Sequence, residues 1–373
     1  MDIKEKVSAV YVRVKEILCI ELAPEQYFRS FVLILISVLA LAASILLFVD
    51  PYVYYHRAIG LRQVYDNSTA MIPGVLRHFE YDTVLYGSSM VQNFDISEMN
   101  KALGTNAVKA TSAGLTADTL SVYLDIAFAS RGNKLRRCVA GVDYYAFDRN
   151  GKKLHDRYKY LYENRLFMPE YLFSKDSLDA VIEVLLTNIK VPFDKVARHE
   201  TDFNKMFSNK PGRHKYGRKY IENDVRCRTR KMVPLSNNVK DNFRRLLFKH
   251  IAEHPDVQFD IFLPPYSVYY WCVLDEFGEV EKYLDIRRFL VEEIAKYPNA
   301  ALHDFQCDKD IICDLDNYKD FSHYSPAISS RIIKNIGAGR NRVTPSNAAQ
   351  GEQTIKECIT AFRPSYRALR SGK

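Results

Sequence analysis

Three side chains in this sequence have the types and spacing for nucleophilic acyl transfer: Ser89, Asp320 and His323. A serine hydroxyl is a poor nucleophile at neutral pH, so it needs a base within hydrogen-bond reach and a third group to orient that base. His323 can be the base. Asp320 precedes it by three residues, so on a turn both side chains can face one cleft and the carboxylate can hold the imidazole. Ser325-Pro326 reads as a helix start with Pro at the first helical position, which puts the pair on a loop ahead of a helix. Ser88, beside Ser89, is a second candidate hydroxyl.

A strand and a turn must hold the serine. Tyr81 to Asn93 reads YDTVLYGSSMVQN: a short apolar strand over Thr83–Tyr86, a break at Gly87, and a helix from Met90 to Leu103. Such a turn sets a hydroxyl at the C-terminal edge of a sheet, near the free N–H groups of the following helix. Strands are expected again at Ala107–Ala110, Arg137–Val142, Val257–Leu263 and Ala300–Phe305, with helices at Thr116–Ser130 and Glu276–Lys296. Short strands separated by helices predict an α/β fold: a parallel sheet flanked by helices in a three-layer, flavodoxin-like arrangement, with ligands at the C-terminal strand ends.

The 373 residues, 47% of them hydrophobic, suffice for one good-sized domain plus extras. Ser30–Val49 contains no charged residue and is long enough to cross a bilayer. The run is longer than the apolar part of a signal peptide and starts late, so it reads as an uncleaved anchor. Lys4, Lys6, Arg13, Lys15 and Arg29 precede it and only Arg57 and Arg62 follow closely, which predicts a cytoplasmic N-terminus and an extracytoplasmic C-terminal domain at the cell membrane. Tyr52, Tyr54 and Tyr55 fit an interfacial aromatic belt. The expected organisation is a cytoplasmic segment (1–28) with a short amphipathic helix over Val7–Leu18, a transmembrane helix (29–50), a juxtamembrane connector (51–80) with turn signals at Asp66-Asn67-Ser68 and Pro73-Gly74, a globular domain (81–339), and a basic, disordered tail (340–373). An insertion at 148–234 interrupts the domain, with one helix at Ser174–Asn188.

Within that insertion, Val196–Lys231 carries 11 Lys/Arg against 4 Asp/Glu. It is either a solvated loop or a surface that meets phosphate, on lipid headgroups or an anionic polymer; nucleic acid is not expected outside a membrane. The seven cysteines contain no CxxC and make no zinc pattern, so neither metal nor cofactor is expected. Cys307 and Cys313 could close a small loop in an oxidising compartment.

Gly87-Ser88-Ser89-Met90, Gly114, Gly141-Val142-Asp143 and Asp320-Phe321-Ser322-His323 together resemble the SGNH (GDSL-like) hydrolase superfamily over roughly Tyr81–Ile336. More closely they resemble its membrane-anchored branch, the alginate-type O-acetyltransferases and teichoic-acid D-alanyl transfer proteins, which Asp50-Pro51 to His56 also resembles. The resemblance implies Ser89 as nucleophile, His323 as base and Asp320 as its partner. It implies an oxyanion hole from the Ser89 N–H, Gly114 and an asparagine after the third strand, where this chain has Asp143. An ionised carboxylate accepts hydrogen bonds and cannot donate one. The resemblance also implies a multi-pass membrane acyltransferase as partner and a surface glycan or polyol-phosphate polymer as acceptor. Tyr144, Tyr145, Tyr266, Tyr269, Tyr270 and Trp271 could stack on sugar rings or pack the core. The competing expectation is a non-catalytic accessory protein that binds polymer in the same cleft.

Overall fold

The computed structural model describes residues 23–148, 156–163, 165–189, 200–209, 212–227 and 234–371. The amphipathic helix expected over Val7–Leu18 lies outside them. The first helix, α1 (Pro24–Val49), is the one described helix long and apolar enough to cross a membrane. Its apolar side chains are largely unburied: Leu33 is 64% and Leu41 62% exposed, and only Leu46 and Val49 near its end are buried.

Asp50 ends α1 in the left-handed conformation at φ 40° and is itself fully buried. Its carboxylate accepts the backbone N–H groups of Tyr54 (2.9 Å), Tyr55 (2.7 Å) and His56 (2.8 Å) and the Tyr171 hydroxyl (2.6 Å). Four donors on one carboxylate satisfy a buried charge that would otherwise be costly. The chain leaving α1 is therefore fastened to the domain at once. The expected connector is itself folded: α2 (Ser68–His78), capped by Asn67 on Ala70 N–H, is buried from Ala70 to Leu76. Pro73-Gly74, read from sequence as a turn, lies inside this helix. A Cβ on Gly74 would sit 2.2 Å from the Val53 carbonyl, so glycine is there for close packing rather than for a bend. Packed structure thus begins near Asp50, ahead of the boundary expected at Tyr81.

Beyond α2 the chain alternates strand and helix. β1 (Thr83–Gly87), α3 (Ile96–Leu103), β2 (Ala107–Thr111), α4 (Ala117–Arg131) and β3 (Arg137–Gly141) form the first half; the intervening segment contains α5 (Lys175–Asn188). The second half is β4 (Gln258–Leu263), α6 (Val268–Glu276), α7 (Val280–Ile294), β5 (Ala300–Asp304), α8 (Pro326–Gly337), β6 (Arg342–Val343) and α9 (Ala348–Arg370). The strands form one sheet in the order β2-β1-β3-β4-β5-β6, parallel except for β6. The parallel part, 2-1-3-4-5, is the flavodoxin-like order. All five of its strands are buried along nearly their whole length, as parallel strands covered by helices must be.

Three expectations change. The helix placed at Met90 starts at Ile96, because Asp95 caps it by accepting Ser97 N–H at 2.8 Å and Glu98 N–H at 3.1 Å. The helix expected over Glu276–Lys296 starts only at Val280, because α6 ends at Glu276 and the chain turns at Gly278, whose φ of 71° glycine adopts without strain. The tail expected to be disordered is β6 and the 23-residue α9, which buries Ile355, Cys358, Ile359 and Tyr366 against α6. Its arginines escaped notice as packing elements because their partners lie far away in sequence: Arg363 forks onto Asp275 at 2.6 and 2.9 Å. Nor do Cys307 and Cys313 pair. Both are free thiols, and Cys313 Sγ lies 3.3 Å from Cys358 Sγ on α9.

The fully buried Arg287 joins α7, β5 and α9. It donates to Asp304 Oδ2 (2.6 Å) and to the Ala348 carbonyl (2.9 Å) and lies 3.6 Å from Glu352. Breaking a buried ion pair on one side leaves the other charge uncompensated. Arg287→Met should therefore cost about 3–5 kcal/mol in chemical denaturation and expose α9 amides to early hydrogen exchange.

Candidate active site

Strand order reverses direction between β1 and β3, and in parallel sheets a crevice opens at the C-terminal ends of such neighbours. Ser88 and Ser89 follow β1 there, and Asp143 follows β3. Gly87 and Gly141 pair across the two strands, and a Cβ on either would come 2.4 Å from Val91 Cγ2. Two glycines side by side let Val91 drop onto the strand ends. That pulls residues 88–94 into a compact turn, with Val91 N–H bonded to Ser88 O at 3.0 Å and Phe94 N–H to Val91 O at 3.3 Å. Because helix α3 begins only at Ile96, its dipole is not what polarises the serine.

Asp320 and His323 sit on the loop before α8. Phe321, 1% exposed, is pinned there: its carbonyl accepts both the N–H (3.0 Å) and the hydroxyl (2.7 Å) of Ser267. Tyr324 OH donates to Met90 O at 2.6 Å and ties this loop to the serine turn. Ser89 Oγ then lies 2.9 Å from His323 Nε2, and His323 Nδ1 lies 2.9 Å from both Asp320 oxygens. Asp320 also accepts the backbone N–H of Ser322 (3.0 Å) and His323 (2.8 Å). A carboxylate on Nδ1 sets the tautomer with the proton there, so the Nε2 lone pair faces the serine hydroxyl. Burial would raise the Asp320 pKa, but the hydrogen bond and charge of His323, with the two backbone donors, outweigh it and hold the carboxyl at about 2.

Around Ser89 a cleft of about 300 Å³ is lined by Ser88, Gly114, Asp143, Tyr145 and Tyr270 among others. Among the described residues, the backbone N–H groups of Ser89 and Gly114 have no protein acceptor, and Gly114 adopts φ 69°. Asp143 accepts Tyr266 OH (2.8 Å) and Tyr145 N–H (3.1 Å) on Oδ1, while Oδ2 lies 3.5 Å from Ser88 Oγ. Ser88 is thus turned toward Asp143, and Ser89 is the hydroxyl that meets the imidazole.

Most of the aromatic candidates prove to be core. Tyr144, Tyr266, Tyr269 and Trp271 are at most 1% exposed, and Tyr270 only 5%. Tyr266 stacks on Tyr270 at 4.4 Å, and α6, which carries Tyr269–Trp271, is covered by α9. Tyr145 and the edge of Tyr270 reach the cleft; the ring-stacking role does not extend to Tyr144, Tyr266 or Trp271.

Two features were missed. Lys109 on β2 is fully buried beneath the serine turn and donates to Gln92 O (2.9 Å) and Ser208 Oγ (2.8 Å). Burial, opposed by Asp95, Glu200 and Asp202, pushes its pKa down to about 7. A lysine within an apolar strand was the available signal. The other is a basic rim: Gly217 N–H bonds to Tyr318 O at 2.9 Å, which brings the 212–216 segment beside the histidine loop. His214 is pushed down by burial and by the positive charges of Lys319, Arg213 and His323. Away from the cleft, His250, Glu253 and His254 each place one ligand atom within 4.8 Å of the others, a cluster the sequence spacing had not suggested as metal-binding.

No protein-family profile matches this chain, and no curated protein does. A solved structure described as "a putative platelet activating factor from Streptococcus pneumonia" is similar over 73% of this chain and 89% of that one, with 12% identity and a TM-score of 0.38. A likeness of that size does not bear on activity.

Since the folded-state pKa of Asp320 is depressed, the stability it contributes is complete above about pH 4 and is lost as pH falls toward 2. His323→Ala removes the largest lowering influences and leaves burial opposed only by the two backbone donors. Carboxyl-carbon NMR should then show the Asp320 midpoint rising from about 2 toward the ordinary aspartate value of about 3.9.

Proposed function

We propose that this chain is a membrane-anchored, serine-dependent acyl-transfer enzyme, an esterase or acyltransferase, whose extracytoplasmic domain acts on a cell-surface polysaccharide or polyol-phosphate polymer. The observation that carries this reading is the continuous hydrogen-bonded line from Ser89 through His323 to Asp320 inside an open cleft. Ser89 Oγ attacks the carbonyl carbon of an acyl donor while His323 Nε2 takes its proton. The tetrahedral oxyanion is met by the Ser89 and Gly114 N–H groups. The C–O or C–S bond to the leaving group breaks, and His323 returns the proton to that group. In the second half, His323 deprotonates an acceptor hydroxyl or water, which attacks the acyl-serine ester; Ser89 Oγ leaves and regains the proton.

The anchor supports a polymer or membrane-embedded donor, since α1 would confine the cleft to the bilayer surface. Arg213 and Lys319 beside the histidine loop support an anionic acceptor, because a cleft with one sign of charge on its rim concentrates the opposite one. The SGNH (GDSL-like) resemblance, in its membrane-anchored branch, supports the same reading and a multi-pass acyltransferase as the source of acyl groups. One observation favours a second reading, a polymer-binding accessory protein: Asp143 offers the cleft an acceptor where an oxyanion needs a donor.

Two experiments separate them. Incubated with an activated acetyl ester, the full chain should gain one acyl group on Ser89 by peptide mass spectrometry, Ser89→Ala should gain none, and Asp320→Asn should acylate about 10⁴-fold more slowly. A wild-type chain that stays unmodified with every donor while still retaining polymer would leave the accessory reading. Asp143→Asn keeps the Oδ1 acceptor for Tyr266 and Tyr145 and replaces Oδ2 with a donor. Its acylation rate should rise about 10²–10³-fold, in line with the rate lost elsewhere when an oxyanion donor is deleted.

A further inference from the structure

Large apolar side chains left in water concentrate in one place. Outside α1, nine are exposed among the described residues, and seven of them fall between Leu166 and Ile189. Leu166 is 96% exposed and Phe167 65%. Along α5, Leu178, Ile182 and Leu186 recur at intervals of four and Ile189 follows at three, so they form one stripe down one helix face. Ser177, Val181 and Val184 face the domain and are buried, as on any surface helix. The outer face, where water favours polar residues, carries this second, apolar stripe beside the exposed charges of Lys175, Asp179 and Glu183. Asp176, Asp179 and Glu183 also line a cleft against Tyr52 and Asn67.

This segment is also fastened to the exit of α1. α5 packs against α1, and Tyr52 OH donates to Asp176 O at 3.1 Å. Tyr54 OH bonds to the carbonyls of Glu163 (2.9 Å) and Arg165 (3.1 Å), and Asn188 Nδ2 donates to Arg62 O at 3.0 Å. Residues 163–189 are thus held by the residues that immediately follow the span, and they cannot leave the bilayer surface if α1 crosses it.

We propose that the outward face of 166–189 is a lipid-binding surface: Leu166, Phe167, Phe173 and the α5 stripe lie in the layer between headgroups and acyl chains, beside the point where α1 emerges. The inference rests on the membrane reading of α1. Lipid is the occupant because α5 packs against the end of α1, so its exposed stripe sits where that apolar helix would leave the bilayer. An interfacial helix of this kind buries its apolar face to a depth of about 5–10 Å. With a span and an interfacial helix both engaged, the domain keeps one attitude to the membrane instead of swinging on a tether.

The test uses the full chain reconstituted in phosphatidylcholine vesicles whose acyl chains carry bromine, a short-range quencher of tryptophan, both near the headgroup and near the chain end. The native Trp271 is fully buried and serves as a constant background. Phe167→Trp and Ile182→Trp report the proposed surface, Val38→Trp reports the span, and Phe277→Trp reports an exposed apolar site off the surface. Circular dichroism checks that each variant folds. Val38→Trp, Phe167→Trp and Ile182→Trp should all lose emission relative to unbrominated vesicles, and Phe277→Trp should not. If Val38→Trp is quenched while Phe167→Trp and Ile182→Trp behave like Phe277→Trp, the surface is not lipid-bound and the inference is overturned with anchoring intact. Blue-shifted, unquenched emission at 167 and 182 overturns it in favour of a second copy of the chain. No quenching at Val38 removes the anchor, and the inference with it.

Discussion

A buried hydrogen bond 2.6 Å long, from Tyr324 OH to the Met90 carbonyl, joins two loops separated by 234 residues. Every distance in the cleft depends on that contact and on the Ser267 clamp over Phe321. The donors and acceptors involved are removed from water, so releasing one partner would leave an unsatisfied buried group at a cost of about 1–3 kcal/mol. The loops hold their places because moving apart is costly, and the 2.9 Å spacing of Ser89 and His323 follows.

The electrostatics of the cleft are lopsided. On the histidine side, a carboxylate held at about 2 stays ionised across the physiological range and can stabilise an imidazolium. On the β3 side, Asp143 lines the cleft with a carboxyl group. Tyr266 and Tyr145 N–H both serve Oδ1, so the carboxylate is held in place by its surroundings and is not a loose side chain free to swing away. A reaction in this cleft would rely on backbone N–H groups to meet an oxyanion.

Support for the cleft comes from segments that look peripheral. The insertion brings Ser208 to Lys109 and Gly217 to Tyr318, so it braces both the serine turn and the histidine loop. α9 covers the aromatic helix α6 and, through Arg287, is bound to β5. Asp50 fastens the end of α1 to the domain with four hydrogen bonds, leaving no slack between that helix and the domain.

Local chemistry was legible in the chain itself. Alternation of short apolar runs with helical patterns marked β1 to β5, because strand burial is a property of consecutive residues, and the charge-free run of Ser30–Val49 marked α1. Ser89, Asp320 and His323 stood out because each sits beside a turn signal. Contacts between residues far apart in sequence were not legible. Gly74 looked like a turn until the Val53 backbone came to lie on it, and α9 looked disordered until α6 and Arg287 supplied its partners. Tyr144, Tyr266 and Trp271 looked like sugar platforms until the same packing buried them. A sequence carries the period and polarity of each element, which fix what that element can do alone; which faces meet is decided by packing across the whole domain, and so burial, pairing and the shape of the cleft belong to the tertiary structure.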